Sequence, residues 1–156
     1  MAKKILVAID DSENAGRAVE LVAKSFSTDN TIVLFNVMLD TAALCQMDSP
    51  ELTPLFRSQQ TNFCALEDKK RELVTGAIQQ AKEVLLSHGW DENQIEVKIE
   101  NKKKGVARDI LAEADNGYQL LVLGRRGVSG IKEFFLGSTC HKVFSGAKNI
   151  SVLIAS

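Results

Sequence analysis

The fold class is decided near the start of the chain, by the run Lys4-Ile5-Leu6-Val7-Ala8-Ile9. This run is continuously apolar and rich in β-branched residues, with no alternation of apolar and polar positions. Such a pattern is typical of a strand buried on both faces, as in the middle of a parallel sheet. The polar residues Asp10-Asp11-Ser12 follow and predict a helix cap, because the apolar face of a helix begins at Ala15.

The same strand–helix unit recurs along the chain. Continuous apolar runs predict further buried strands at 31–37, 119–123 and 151–155. Alternation over 95–100 predicts a strand at the sheet edge with one solvated face. Helices are predicted at 15–26, 66–88, 107–114 and 137–145. Because a βαβ unit takes about 30 residues, this pattern predicts one α/β domain over residues 1–156, with a five-stranded parallel sheet covered by helices on both faces.

Composition and charge exclude several classes of protein. Hydrophobic residues make up 45% of the chain and charged residues 25%, which predicts a soluble globular domain instead of a disordered chain. The net charge of −1 offers no global attraction to nucleic acid or to an anionic membrane, so neither is expected as a partner. No apolar run approaches the roughly 18 residues that a membrane-spanning helix needs. The short run 5–9 ends at Asp10 and is not interpreted as a signal peptide.

The number and spacing of the cysteines indicate whether the protein works in a reducing or an oxidising compartment. Cys45, Cys64 and Cys140 are odd in number and widely spaced, without a CxxC pair. They therefore predict free thiols in a reducing compartment, a cytoplasmic location and no zinc site.

One stretch shows no clear period. Residues 39 to about 60 contain Pro50 and Pro54 and predict a long loop. A loop of about 20 residues is uncommon in a compact domain and often serves as a lid or binding loop. A loop with one helical turn and no role is an equally good interpretation.

The most informative residues follow the fourth strand, as Gly124-Arg125-Arg126-Gly127-Val128-Ser129-Gly130. Glycines let a backbone approach a ligand closely and adopt positive φ. Further on, Gly137-Ser138-Thr139 opens a helix, where free N–H groups and the helix dipole favour phosphate. The alternative is a tight turn with solvated arginines. The segment is neither a Walker A loop nor a GxGxxG fingerprint.

The glycine and serine spacing G-x2-G-x9-G-S, at Gly124, Gly127, Gly137 and Ser138, resembles the ATP-binding branch of the universal stress protein family. The resemblance covers the whole chain. It includes the opening 4–10 with Ser12-Glu13, the strand Leu34-Phe35-Asn36-Val37 and the segment Phe135-Leu136-Gly137-Ser138-Thr139.

This resemblance implies a three-layer fold of the adenine nucleotide α-hydrolase type, with strand order 3-2-1-4-5. It also implies a homodimer through the last strands and a bound ATP, ADP or AMP, with Mg²⁺ accompanying the phosphates. By position, Asp10 would lie beside the adenosine and the Val37 backbone would meet the adenine. The implied nucleotide-binding residues are Ala8, Ile9, Asp10, Val37, Leu123, Gly124, Arg125, Arg126, Gly127, Gly137, Ser138 and Thr139.

Two positions depart from the family pattern. Asp11 stands where family members often carry glycine, so a second carboxylate could repel phosphate or help to hold a cation. The residues Asn149-Ile150-Ser151 replace the usual proline before the last strand, which bears on the implied dimer contact.

Other polar residues are better explained structurally. His88 is expected to meet the carbonyls at a helix end, and His141 to be solvated or to face a dimer partner. Cys140, at a helix start, is expected to be a buried, inert thiol. The run Lys102-Lys103-Lys104 is expected to be a solvated turn. No catalytic residue is assigned.

Three functions are compatible with these observations in different degrees. The first is an ATP-binding regulatory or stress-response module, whose slow hydrolysis of ATP stays open because no water-positioning base is evident. The second is a dimeric scaffold with an unknown protein partner, in which the nucleotide pocket is vestigial or takes only AMP. The third, an adenylating enzyme of the nucleotide α-hydrolase type, requires a glycine- and serine-rich loop where this chain has the acidic Asp10-Asp11-Ser12-Glu13-Asn14.

Overall fold

The computed structural model describes residues 2–10, 12–125 and 136–156. Five parallel strands form one sheet in the order β3-β2-β1-β4-β5, which confirms the expected fold. The strands are β1 (Lys4–Ala8), β2 (Thr31–Met38), β3 (Ile95–Asn101), β4 (Leu120–Gly124) and β5 (Ser151–Ala155). The helices are α1 (Glu13–Ser25), α2 (Ala42–Cys45), α3 (Pro54–Ser87), α4 (Val106–Ala114) and α5 (Ser138–Gly146). No helix among these ranges is both long and apolar enough to cross a membrane.

The helices form a layer on each face of the sheet. Alternate residues of each buried strand point to opposite faces, so Val7 and Leu34 belong to one core and Leu6 and Phe35 to the other. Helices α1 and α3 cover the first face, and α4 and α5 cover the second. The crossovers from β1 to β3 and from β3 to β5 therefore run in opposite directions across the sheet.

Helix α3 begins earlier than the sequence predicts. The Thr53 hydroxyl oxygen accepts a hydrogen bond from the Phe56 N–H at 3.2 Å, and Pro54 occupies the first helical position. The prediction of a loop over residues 39 to about 60 is therefore wrong for 54–60, and α2 adds a short helical turn. The early part of α3 buries no residue, so it carries no apolar period; its buried residues are Val74, Ile78, Ala81 and Leu85.

Cys45 and Cys64 form a disulfide with an S–S distance of 2.06 Å. The prediction of free thiols is wrong for this pair, because α2 folds back against α3 and brings together cysteines that are 19 positions apart in sequence. Cys140 is free and buried, as expected. A cytoplasmic location thus loses the support that free thiols at Cys45 and Cys64 would have lent it.

Strand β3 lies at the sheet edge, as its alternation predicts. The prediction of a buried apolar face and a solvated polar face is wrong for this strand. Val97 and Ile99 are 42% and 47% exposed, whereas Lys98 on the opposite face donates to buried Glu113 of α4 at 2.8 Å. Hydrogen bonds from Lys98 and the Tyr118 hydroxyl keep the pKa of Glu113 below its ordinary value, although burial alone would raise it.

Candidate functional site

A crevice opens where the strand order reverses. Strands β1 and β4 pair from Ile5–Leu120 to Val7–Val122, and both strands continue beyond that register. In open parallel sheets, ligands bind at such a switch point, outside the carboxyl ends of the strands. The described residues line a cavity of about 370 Å³ here, within the range of about 300–1,000 Å³ that small-molecule sites occupy.

Most of the predicted site residues meet at this cavity. Those that line it are Ala8, Ile9, Asp10, Val37, Leu123, Gly124, Gly137 and Thr139. Arg125 and Ser138 are described but do not line it, and the Arg125 N–H donates to the Ala155 carbonyl at 2.7 Å. Arg126, Gly127 and Asp11 lie outside the described residues, so the second glycine of the spacing is not placed.

Gly124 is required by packing against a neighbouring helix. A Cβ at this position would collide with the Asn14 carbonyl and lie 2.9 Å from the Ala15 nitrogen. Within the described chain, positive φ occurs at glycines 89, 105 and 117. The glycine at the end of β4 therefore allows α1 to begin directly beside the strand, and the expected positive φ is not the reason for it.

Asp10 forms the edge of the cavity at the end of β1. Its Oδ1 accepts from the Ser12 N–H at 2.8 Å and from the Ser12 hydroxyl at 2.5 Å. Ser12 is the N-cap of α1, and its hydroxyl is turned to Asp10 and makes no bond to the helix. The two hydrogen bonds from Ser12 hold the Asp10 carboxylate at the opening of the cavity.

The end of β4 and the start of α5 form what we call the amide wall, made of Gly124, Gly137, Thr139 and Cys140, all of which line the cavity. The first bond of the helix runs from the His141 N–H to the Gly137 carbonyl at 2.9 Å. The N–H groups before His141 therefore have no intrahelical acceptor, and they carry the positive end of the helix dipole. Burial raises the pKa of the Cys140 thiol against the nearby charge of Arg125, which favours the expected inert thiol.

The opposite side of the cavity carries side-chain charge that sequence reasoning did not predict. Lys70 and Arg71 of α3 and Lys102 after β3 line it, and we call them the cationic wall. Arg71 donates to the Leu39 carbonyl at 2.8 Å, and Lys70 lies 3.3 Å from Glu67. The wall thus places positive charge near the ends of β2 and β3.

The lysine run 102–104 forms an exposed turn, as predicted. The N–H groups of Lys103 and Lys104 donate to the carboxylate of Asp109 at 2.7 and 3.1 Å. These N–H groups hold the pKa of Asp109 below its ordinary value, against the burial that would raise it. The turn also brings Lys102 to the cavity, a role the sequence analysis missed.

Asn36 is a further lining residue that the sequence analysis did not single out. Its Nδ2 donates to the Ile9 carbonyl at 2.6 Å, which fixes the orientation of the amide because that carbonyl can only accept. The Oδ1 is buried and has no hydrogen-bond partner in the described part of the chain. A buried acceptor in this position favours a ligand that offers an N–H or O–H donor.

A signal for the cationic wall was present in the sequence. Thr53 followed by Pro54 is a typical helix start. A helix from that point places Glu67, Arg71 and Val74 on one face, because residues three and four apart are neighbours.

The two histidines agree with their structural interpretation. His141 is exposed, and His88 Nδ1 lies 2.8 Å from the Val84 carbonyl at the end of α3.

Among metal-binding residue types, no group of three or more histidine, cysteine, aspartate or glutamate side chains gathers within the described ranges.

Comparison with known sequences identifies related proteins along nearly the whole chain. The family described as the universal stress protein family matches residues 1–155. The chain is 28% identical to universal stress protein YxiE of Bacillus subtilis over 144 residues, 92% of either protein. It is 23% identical over 150 residues to a universal stress protein of Mycolicibacterium smegmatis, covering 96% of this chain but only 47% of that protein. The chain thus spans about half the length of the second relative.

Solved structures share the fold. A universal stress protein from Archaeoglobus fulgidus matches with a TM-score of 0.70 at 17% identity, covering 100% of both chains. A universal stress protein in complex with cAMP matches with a TM-score of 0.63 at 18% identity, covering 99% of this chain and 96% of that one. An AMP-bound family protein from Arabidopsis thaliana matches with a TM-score of 0.58 at 17% identity, covering 99% and 92%.

Proposed function

The chain belongs to the universal stress protein family, and from this premise we propose that it is a regulatory or stress-response module that binds an adenine nucleotide. The observation that carries the proposal is the cavity at the β1–β4 switch point, onto which the first turn of α5 opens. Free N–H groups at a helix start, in a cavity of ligand size, suit a phosphate group. The AMP and cAMP complexes of proteins with the same fold support the choice of adenine.

The nucleotide would lie across the cavity from β2 to α5. In this arrangement the Val37 backbone meets the adenine, and Asp10 accepts from the ribose hydroxyls. Gly137, Ser138 and Thr139 donate to phosphate oxygens, while Gly124, Arg125, Arg126 and Gly127 border the ribose and phosphates. The buried Oδ1 of Asn36 is an acceptor that the adenine amino group could satisfy.

We propose binding of ATP, ADP or AMP without efficient hydrolysis. The lining carboxylates in the described part of the chain are Asp10 and Glu67. Oδ1 of Asp10 already accepts two bonds from Ser12 and the carboxylate faces the ribose in the proposed arrangement, while Glu67 pairs with Lys70. Neither carboxylate is therefore well placed as a base for an attacking water. Mg²⁺ would enter with the phosphates of ATP, and we assign it no protein ligand.

The proposal extends to assembly and location. Strand β5 is the second edge of the sheet, so its outer main-chain groups can pair with the same strand of a second copy. We propose a homodimer of this kind and a cytoplasmic location, where the disulfide between Cys45 and Cys64 would be a reversible bond. Light scattering would give twice the mass of the chain for the dimer and the mass of one chain if the proposal is wrong.

Calorimetric titration with AMP, ATP and cAMP tests the proposed ligand class. We expect the wild-type protein to bind AMP or ATP in the micromolar range. The variant Gly137→Val places an isopropyl group at the amide wall and should abolish binding. Gly76→Val is a matched control, because a Cβ at Gly76 meets nothing within 4 Å. No binding by the wild-type protein, or equal binding by both variants, would contradict the proposal.

A second candidate function is a scaffold for a protein partner. It is favoured by exposed apolar residues on the early part of α3, where Leu55 and Leu66 are 70% and 63% exposed. Capture of a partner that is unchanged by AMP and by Gly137→Val would favour this function. Capture that depends on AMP would favour a nucleotide-regulated module.

A further inference from the structure

Residues 39–53, here called the strap, join β2 to α3 and run back along the helix. Contacts join the two segments along the length of the strap. From the mouth of the cavity outward, Arg71 donates to the Leu39 carbonyl at 2.8 Å, and Cys64 is bonded to Cys45. Then Gln60 donates to the Leu44 carbonyl at 2.6 Å and Arg57 donates to the Ser49 carbonyl at 2.7 Å. The disulfide is the covalent member of this series.

The strap has almost no apolar anchor. Thr41 is its single buried residue, and α2 buries none. Hydrogen bonds that are open to water exchange readily with solvent bonds and stabilise a segment only weakly. The disulfide between Cys45 and Cys64 is therefore the interaction that most limits the motion of the strap.

The strap and the disulfide are directly connected to the cavity. Leu39, at the start of the strap, lines it. Glu67 and Arg71 also line it, one and two helical turns after Cys64, on the same face of α3. Arg71 connects α3 to the start of the strap through its hydrogen bond to the Leu39 carbonyl. A strap that leaves α3 would thus loosen one edge of the cavity.

We propose that Cys45 and Cys64 form a thiol–disulfide exchange site that sets the affinity of the cavity for its ligand. With the disulfide formed, the edge made by Leu39 and Arg71 is held in place. Reduction frees the strap, so that ligand binding must then order it again, and affinity falls. The effect on affinity rests on the proposed nucleotide binding, whereas the release of the strap does not.

A dithiol reductant supplies the electrons and protons for the reduction of the disulfide. Both cysteines are partly exposed, so a thiolate of the dithiol can attack one sulfur and expel the other as a thiolate. The second thiol of the reductant then resolves the mixed disulfide. In total, two electrons and two protons pass from the dithiol to the protein, and the reductant leaves as its own disulfide. A small disulfide such as oxidised glutathione reverses the reaction.

The test measures AMP affinity and strap protection in both redox states. We expect treatment with dithiothreitol to weaken AMP binding by roughly three- to tenfold, the cost of ordering a few residues again. Amide hydrogen exchange at residues 39–46 should become faster. The double variant Cys45→Ser, Cys64→Ser should bind like the reduced wild-type protein and should not respond to dithiothreitol. Because Cys140 is present in both proteins, this variant also controls for reactions of that thiol.

Alkylation of both thiols verifies the reduction. If AMP binds, unchanged AMP affinity of the reduced protein would overturn the inference, as would unchanged exchange at 39–46 or a response to dithiothreitol that persists in the double variant. If AMP binds in neither redox state, the proposed nucleotide binding is rejected, but the exchange site is not. Faster exchange at 39–46 on reduction would then still support the exchange site, and unchanged exchange would reject it.

Discussion

The amide wall and the cationic wall face the same cavity but are built in different ways. The amide wall lies at the end of β4 and the start of α5, beside the core that α4 and α5 form with the sheet. The cationic wall consists of long side chains on α3 and on an exposed turn. A site made of main-chain groups requires glycine at particular positions, and these glycines can be found in the sequence. A site made of side chains can be predicted only when the helix that carries those side chains has been predicted. This difference explains why the sequence analysis found the start of α5 and missed the cationic wall.

The largest expected effect tests the packing behind the amide wall. Gly124→Val should lower the free energy of unfolding by about 3 kcal/mol, because its side chain would overlap the backbone at the start of α1. Chemical denaturation measures the change. Gly76→Ala, in open space on a helix, should instead raise stability by about 0.5–1 kcal/mol. A neutral Gly124→Val would show that the close approach of α1 to β4 is not needed.

The cationic wall should contribute less to ligand affinity than the amide wall. Lys102→Ala should weaken AMP binding by roughly 1.4- to fivefold, since an exposed charge contributes about 0.2–1 kcal/mol. Added salt should shrink the difference from wild type. Lys103→Ala is the matched control, because its neighbouring side chain is exposed and does not line the cavity. Equal effects of the two variants would mean that Lys102 has no particular role.

The smallest expected effect concerns the turn that carries Lys102. The pKa of Asp109 is lowered in the folded protein, so the carboxylate stabilises the fold above its ordinary pKa, and this contribution is lost as the pH falls through the lowered value. Asp109→Asn should therefore melt at a lower temperature than wild type at pH 7 and approach it at pH 3. Calorimetric scans at both pH values check this. A difference that is the same at both would argue against the carboxylate as the cause.

Much of the fold was predictable because buried strands leave continuous apolar runs. Strand β5 was predicted at its observed bounds, and β1 and β4 within a residue or two. The early part of α3 was missed because it packs against the strap with polar contacts and exposes Leu55. An exposed helix carries no apolar period, so only the pair Thr53-Pro54 marked its start.

The site was predictable where backbone geometry sets the sequence. Gly124 and Gly137 of the glycine and serine spacing line the cavity, whereas Ser138 does not and Gly127 lies outside the described residues. The disulfide was not predictable, because the contact between Cys45 and Cys64 arises only when α2 folds back on α3. The reason for Gly124 was also hidden, since the helix that would clash with a side chain there begins more than a hundred residues earlier in the chain.

The most direct test follows the main-chain amides of α5 in an NMR titration of the isotopically labelled protein. The account predicts that AMP shifts the amide resonances of Ser138, Thr139 and Cys140, and that adenosine, which lacks the phosphate, leaves them nearly unmoved. Resonances that move equally with both compounds, or that stay still while AMP binds elsewhere, would contradict a phosphate site at the start of this helix.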